Sequence, residues 1–376
     1  MSFEGLVNLC VFIGGCSVEH EISLISGLQT VLNLDKSKYS VKVVYLSKDN
    51  EFVCLKNFDS LDVFKNGDYL KWKSNCYFKR FKGKTYLVYK GKKWRVDVCF
   101  PVVHGYGVED GSLSGFIKLL KVPNVVSDML SSGIAQDKAF CKSVLKSKGI
   151  RMNKFVEVSK DNLVKQVDKI TETMRFPLII KPSRLGSSIG IEVCDAKESL
   201  NSCISNCLNY DNKVIVEEKL VDFVEYNMAC FSYKNDLYLS SVEMVSSKND
   251  YLTFNDKYCE GGLKDLSKEC RVVPAPIDEK LMKELSDFTK IIYRKLKFNG
   301  VIRVDYLYDN VDKKLYFNEV NTIPGSLAFY LYKDYSFKEL LDLLIKDAMY
   351  RFNLESGLIS SFDSNILAIK NLSMKK

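Results

Sequence analysis

Residues 181–190 read Lys-Pro-Ser-Arg-Leu-Gly-Ser-Ser-Ile-Gly, a run whose residue types suit the binding of an anion. Gly186 and Gly190 let backbone N–H groups come close to a phosphate, Ser187 and Ser188 add hydroxyl donors, and Lys181 supplies a compact positive charge. A small polar surface hairpin has the same composition, so the loop alone does not decide between the two. A second constellation lies late in the chain, where strand-like residues 301–308 and 315–321 flank a turn rich in Asp, Asn and Lys, the pattern of an antiparallel hairpin. With pairing symmetric about residue 312, Asp305 faces Glu319 and Arg303 faces Asn321, and period two puts all four on one side. Two opposed acids repel unless something positive lies between them. Oxygen ligands without His or Cys suit magnesium or manganese shared with ligand phosphates; the alternative is a solvated face on which Arg303 neutralises both acids.

These groups need strands and helices to hold them. Residues 176–180 are short, apolar and branched, a buried strand that leaves Lys181 at its end. Residues 6–13 form another such run, stopped by Gly14-Gly15, and residues 21–32 then carry a helical apolar stripe. A strand, a glycine turn and a helix open a doubly wound α/β domain, whose ligands gather past the carboxyl ends of its strands, here at Ser17, Glu19, His20 and Glu21. The glycines lack GxGxxG spacing, which disfavours a nicotinamide dinucleotide. Residues 96–103 give a further buried strand ending in His104-Gly-Tyr-Gly-Val-Glu-Asp-Gly, and His104 is either a ligand contact or a structural histidine. Residues 131–149 read as one helix with Ile134, Lys138, Cys141 and Leu145 on a shared face, where the charge of Lys138 requires a phosphate or a carboxylate. Between residues 39 and 97 short Lys- and aromatic-rich segments read as β-hairpins with Lys-protected edges rather than a base-stacking surface. A strand at 214–216 leads to Glu217 and Glu218, and residues 250–262 read as a lid.

A length of 376 residues implies two or three domains, and a net charge of +8 without a basic tail fits an anionic small ligand and does not call for nucleic acid. The 12 cysteines form no CxxC pairs and only two histidines accompany them, which points to reduced thiols, no zinc and a cytoplasmic protein. No apolar run reaches spanning length and the first residues lack a signal-peptide pattern, so no membrane partner is expected.

Taken together, six ordered blocks resemble the D-alanine:D-alanine ligase family of the ATP-grasp superfold: Gly14-Gly-Cys-Ser-Val-Glu-His-Glu-Ile-Ser-Leu, the His104 block, Asp137-Lys138, residues 181–190, Arg303-Val-Asp305, and Asn318-Glu-Val-Asn-Thr-Ile-Pro-Gly325. The resemblance implies an α/β (α+β) architecture. A substrate domain over 1–128, with a hairpin-rich insertion at about 40–96, precedes a central ATP-grasp subdomain over 129–220 and a C-terminal one over 221–376. It implies that Lys138, Lys181 and Ser188 hold ATP phosphates, Glu218 and the backbone near Val221 the adenine edge, and Glu225 the ribose. Asp305, Glu319 and Asn321 would carry two Mg2+ or Mn2+ ions. Glu21 would orient the first substrate's amino group and, with Ser187 and Tyr258, fasten the lid; His104 would lie near that substrate's carboxylate, and Arg303 with the Gly325 backbone would stabilise the transition state.

The implied reaction phosphorylates one D-alanine carboxylate with ATP and lets the amine of a second D-alanine displace phosphate, yielding a dipeptide for peptidoglycan. Positioning and charge neutralisation supply the catalysis and no side chain need be a nucleophile. The family precedent is a homodimer. Three positions depart from the family pattern: Tyr330 stands where a Ser binds the second substrate's carboxylate, Leu327 where a Thr is usual, and, a smaller change, Leu185 where many members carry Glu in the phosphate clamp. The competing expectations are the same machine with another acceptor (D-serine, a hydroxy acid or another amino acid), an idle ATP-binding protein, and a dinucleotide oxidoreductase.

Overall fold

In β1 (Val7–Gly14) successive side chains leave on opposite faces, and both faces are buried. Leu9, Val11 and Ile13 enter one core while Cys10 and Phe12 enter another. A computed structural model describes residues 5–65, 67, 69, 74–245 and 271–359 of the chain. β1 pairs in parallel with β2 (Tyr39–Leu46) and with β7 (Val98–Pro101), and β3 (Phe52–Cys54) closes one edge antiparallel, in the order β3-β2-β1-β7. Helix α1 (His20–Asn33) packs back on β1, as a doubly wound start requires.

Tyr39–Leu46 therefore belongs to the parallel sheet and not to the insertion expected from about residue 40. The inserted part is a three-stranded antiparallel sheet of β4 (Cys76–Phe81), β5 (Lys84–Tyr89) and β6 (Lys92–Arg95), whose Phe78 stacks on Phe12 and covers the second face of β1. Part of the Lys- and aromatic-rich region, residues 70–73, lies outside the described residues.

The single helix expected over 131–149 is two, α2 (Met129–Gln136) and α3 (Lys138–Lys146). Asp137 ends the first and caps the second, its carboxylate accepting from the N–H of Phe140 at 3.0 Å and from the hydroxyl of Ser183 at 3.0 Å. An aspartate whose side chain competes for backbone N–H groups is a poor helix interior and a good cap, and this one places Lys138 at a helix start.

Beyond it, β8 (Phe155–Ser159), β9 (Leu178–Pro182), β10 (Glu192–Cys194) and β11 (Lys213–Glu218) form an antiparallel sheet in the order β10-β9-β11-β8. A larger antiparallel sheet follows in the order β14-β13-β12-β15-β16, from β12 (Phe223–Tyr233), β13 (Asp236–Val245), β14 (Arg271–Val272), β15 (Ile302–Asp309) and β16 (Lys314–Asn321). An amphipathic helix, Glu279–Lys295, covers one face; Asp278 caps it and Arg294 and Lys295 sit in its last turn, each matching the helix dipole.

The last helix, Phe337–Ser356, starts with a Ser336/Glu339 capping box and buries Leu340, Leu341, Leu344 and Ile345 in the same core as Leu9, Val11 and Ile13 of β1. The N-terminal sheet and the C-terminal helix thus share one core. Every described cysteine is free, and all but Cys16 are buried. No helix among the described residues is long and apolar enough to cross a membrane.

Candidate active site

A cleft of about 480 Å³ lies between the two antiparallel sheets. β9 and the loop after it form one wall; β12, β15 and β16 form the other. Ile179, Leu220, Phe223 and Leu307 make one end apolar, while Lys138, Lys181, Arg303, Asp305 and Glu319 make the other ionic.

Strand alternation explains the cationic wall. On β11, Glu217 points inward and is 1% exposed, whereas Glu218 faces the other way and accepts from the N–H of Arg175 at 3.1 Å. The Glu217 carboxylate bridges two lysines, Lys181 at 2.8 Å and Lys142 at hydrogen-bond contact. Burial alone would raise its pKa, but the two ammonium groups overcome this and hold it down to about 2. Burial pushes Lys142 down; Lys181, against the same burial, is raised by Glu217 and remains a cation. Glu217 and Lys142 were not singled out in the sequence, because the adjacent Glu217-Glu218 pair conceals which one faces in. Lys138 reaches the other wall, donating to the Leu185 carbonyl at 2.5 Å and pairing with Glu319 at 3.3 Å.

The metal-type constellation assembles as its register predicts. Arg303 lies opposite Asn321 and Asp305 opposite Glu319. A bulge then shifts the remaining pairs by one residue, so symmetry about residue 312 holds only in the half that carries the site. The bulge region also carries Asn318, whose carbonyl oxygen accepts from Lys181 at 3.1 Å across the cleft. Arg303 grips Asp305 with two bonds of 2.7 and 2.8 Å, and Asn321 donates to the same carboxylate at 3.0 Å. Burial alone would lower the Arg303 pKa, but Asp305 raises it well above the ordinary value, so Arg303 stays charged. Two carboxylates and a carboxamide, already met by the cations Arg303 and Lys138, form a hard-oxygen set that fits magnesium or manganese.

The loop 183–191 is held open by ionic and backbone contacts. Arg184 pairs with Asp211, and Ser187 and Ser188 adopt left-handed φ values of 55° and 59°. Gly190 has φ of 70°, and a Cβ there would lie 2.7 Å from the Tyr210 ring. The Ser187 hydroxyl donates to Glu19, not to Glu21. Glu19 precedes α1 and lines the cleft, whereas Glu21, two positions and about half a turn round the helix, is exposed and pairs with Lys48 at 2.9 Å. Of the contacts expected of Glu21, the one to Ser187 is made by Glu19.

Other expected residues are distributed unevenly. Ser188 and Glu225 line the cleft; Glu218 does not, and the Val221 side chain is 72% exposed while Lys219 and Leu220 face in. His104 is buried and does not line the cleft: Nδ1 lies 2.7 Å from the Ile323 carbonyl and so donates, and Nε2 lies 2.9 Å from the Ser26 hydroxyl. Glu109, from the same block, accepts from Gly105 N–H at 3.0 Å and from Thr322 and Ile323 N–H at 3.0 and 2.9 Å, tying that loop to the end of β16. Burial and the charge of Glu19 raise the Glu109 pKa against the opposing influence of His104. Gly325 opens a turn, Gly325–Leu331, in which Ser326, Leu327 and Ala328 take left-handed φ values of 50° to 52°. Tyr330, at the end of that turn, donates to Glu243 at 3.2 Å. Tyr258 and the rest of the expected lid lie outside the described residues.

The family model for the D-ala D-ala ligase N-terminus matches residues 8–127, and that for the D-ala D-ala ligase C-terminus matches residues 144–345. A D-alanine–D-alanine ligase of Thermosipho melanesiensis is 35% identical over 97% of this chain and 99% of its own, and one of Thermoanaerobacter sp. is 31% identical over 92% and 97%. Among solved structures, the VanG D-Ala:D-Ser ligase of Enterococcus faecalis superposes with a TM-score of 0.79 at 27% identity, covering 92% of this chain and 100% of that one. The D-alanine-D-alanine ligase of Coxiella burnetii has the same TM-score of 0.79 at 22% identity, covering 93% and 96%, and so speaks for the fold alone. With both halves matched and relatives aligned along nearly its full length, the chain belongs to the D-alanine:D-alanine ligase family.

Proposed function

We propose that this protein joins two D-alanine molecules at the expense of ATP, for peptidoglycan synthesis. The observation that carries the reading is the cleft in which Lys138 and Lys181 face Asp305, Glu319 and Asn321 across two sheets, with Arg303 beside them. A carboxylate oxygen of the first D-alanine attacks the γ-phosphorus of ATP and ADP leaves, giving an acyl phosphate. The free amine of the second D-alanine attacks the acyl carbon, phosphate leaves, the amine proton is lost, and a peptide bond remains. The two lysines neutralise ATP phosphates, the apolar end of the cleft takes the adenine, and Glu225 takes the ribose. Asp305, Glu319 and Asn321 would hold two divalent ions, which bring positive charge to the transferring phosphoryl group. Arg303 stays charged beside them and stabilises the oxyanions that form. Glu19 lines the cleft and meets Ser187, which supports a role in orienting the first substrate's ammonium group.

The test is ADP release by the purified protein with ATP and magnesium, with and without D-alanine, and product identified by mass. D-alanyl-D-alanine formed from D-alanine alone supports the reading; no ADP release with any amino acid overturns it. A second reading, the same machine with a different acceptor, is favoured by Tyr330 and its ionic neighbours Glu243 and Arg271. It requires that ADP release stay low until a partner other than D-alanine is added. By family precedent the enzyme is a homodimer working in the cytoplasm, and sedimentation of the full chain at about twice its monomer mass is the expected result.

A further inference from the structure

A ligation that activates one carboxylate leaves the other intact: the acceptor keeps its carboxylate through the reaction and into the product. A site that admits this group needs a cation for it that the phosphates and the reacting centre have not already claimed. Among the described cations that line the cleft, Lys138, Lys181 and Arg303 are claimed, and Lys219 stands beside Leu220 at the apolar end. Arg271 lies at the Arg303 end.

The position of Arg271 is built. β14 pairs Arg271 with Val245, so Arg271 lies diagonal to Glu243 on β13, and Glu243 in turn lies opposite Asn227, which lies opposite Asp305. Glu243 is fully buried and accepts from Asn227 at 3.1 Å, Tyr330 at 3.2 Å and Arg271 at 3.3 Å. With three donors on its two oxygens, Glu243 is an anchor for its neighbours. Arg271 Nη1 also donates to the Tyr330 hydroxyl at 3.4 Å. A phenol has one proton. Because that proton goes to Glu243 and the oxygen accepts from Arg271, Tyr330 has none to offer a substrate carboxylate. Arg271 uses Nη1 alone for these contacts, and among the described residues Nε and Nη2 are unengaged. Its side chain is 37% exposed and borders the cleft. The left-handed turn at residues 326–328 is what delivers Tyr330 to this spot, a backbone conformation that L-residues adopt only when their surroundings hold it.

We propose that Arg271, oriented by Glu243 and Tyr330, is the group that binds the acceptor's carboxylate and so determines which acceptors this enzyme takes. The inference rests on the ligase reading above. A guanidinium offers a planar fork to a carboxylate, so acceptors lacking the carboxylate are disfavoured.

The test uses the full-length enzyme with saturating ATP and magnesium, and a mixture of D-alanine and D-alaninamide as competing acceptors, with dipeptide and dipeptide amide quantified by mass. In the wild-type protein the carboxylate acceptor is preferred. In Arg271→Gln the preference falls by about tenfold or more, and the KM of the acceptor rises while those of ATP and the first D-alanine do not. Arg271→Lys, which keeps the charge and loses the fork, recovers part of the preference. Tyr330→Phe lowers the preference less than Arg271→Gln does, since Glu243 still holds the guanidinium. An unchanged preference in Arg271→Gln, or an equal loss with both acceptors, overturns this assignment while leaving the ligase reading in place. No ADP release by the wild-type protein with any amino acid overturns both.

Discussion

Lys181 Nζ stands 2.8 Å from one oxygen of Glu217, and Lys142 meets the other, so a single buried carboxylate holds two buried ammonium groups apart. Without it, two like charges would share a low-dielectric pocket. The phosphate-facing lysine of this cleft is therefore positioned from behind.

Replacing Glu217 by Gln removes the charge and leaves both lysines uncompensated. The expected cost is about 3–5 kcal/mol of stability, read by urea denaturation at neutral pH, together with a higher KM for ATP. The pH dependence follows from the depressed pKa, about 2 against an ordinary 4.5. The stabilisation is fully present above about 4.5, declines as pH falls, and is gone below about 2; it amounts to an order of 3 kcal/mol. Wild-type protein should lose stability through that window more steeply than Glu217→Gln does.

Glu19 and Glu21 separate cleanly by mutation. Glu19→Gln weakens the bond to Ser187 at the cleft and should lower kcat by about a hundredfold. Glu21→Gln breaks only an exposed pair with Lys48, should change stability by less than about 0.5 kcal/mol, and should leave steady-state kinetics as they were.

Glu319→Gln should abolish metal-dependent turnover, with a loss of at least about a hundredfold, while the melting temperature changes little. Its partner Lys138, 3.3 Å away, keeps the Leu185 carbonyl as an acceptor, so the local structure survives. Manganese binding in the presence of ATP, followed by electron paramagnetic resonance, should weaken in parallel.

Gly190→Ala places a Cβ 2.7 Å from the Tyr210 ring at a φ of 70°. The two penalties have different cures. The single variant should raise the KM for ATP by distorting the loop, and adding Tyr210→Ala should relieve the ring clash but neither the 3.0 Å approach to Pro182 nor the backbone strain of about 1–2 kcal/mol. Partial recovery in the double variant is the expected outcome.

Much of this site was legible because strands obey a rigid period. Pairing about residue 312 placed Arg303, Asp305, Glu319 and Asn321 correctly, since a two-stranded turn constrains its nearest register strongly. The bulge between the site and the turn was not legible, because an extra residue leaves no mark in an alternating pattern. Glu217 was passed over for a related reason: in a pair of identical neighbours, only the fold decides which one faces in. The choice between Glu19 and Glu21 turned on where α1 begins, and helix starts are set by local backbone geometry more than by apolar period. Asp137 breaks what reads as one helix because its side chain prefers capping, a preference the shared apolar face obscures. The core of the N-terminal sheet also takes in residues from the far end of the chain, a pairing that no local pattern announces.

That shared core has a consequence for how the protein is made. Tyr39 hydrogen-bonds Asp342 at 2.7 Å, across 303 positions of sequence, and the face of β1 that carries Leu9, Val11 and Ile13 shares its core with Leu340, Leu344 and Ile345. A nascent chain that has only its first 128 residues outside the ribosome carries the N-terminal sheet with that face still uncovered, and it must wait for nearly the whole polypeptide before the covering helix emerges. Residues 155–218, by contrast, hold their own apolar cluster and can settle earlier. The order of synthesis and the order of consolidation therefore differ: the segment made first is among the last to be finished.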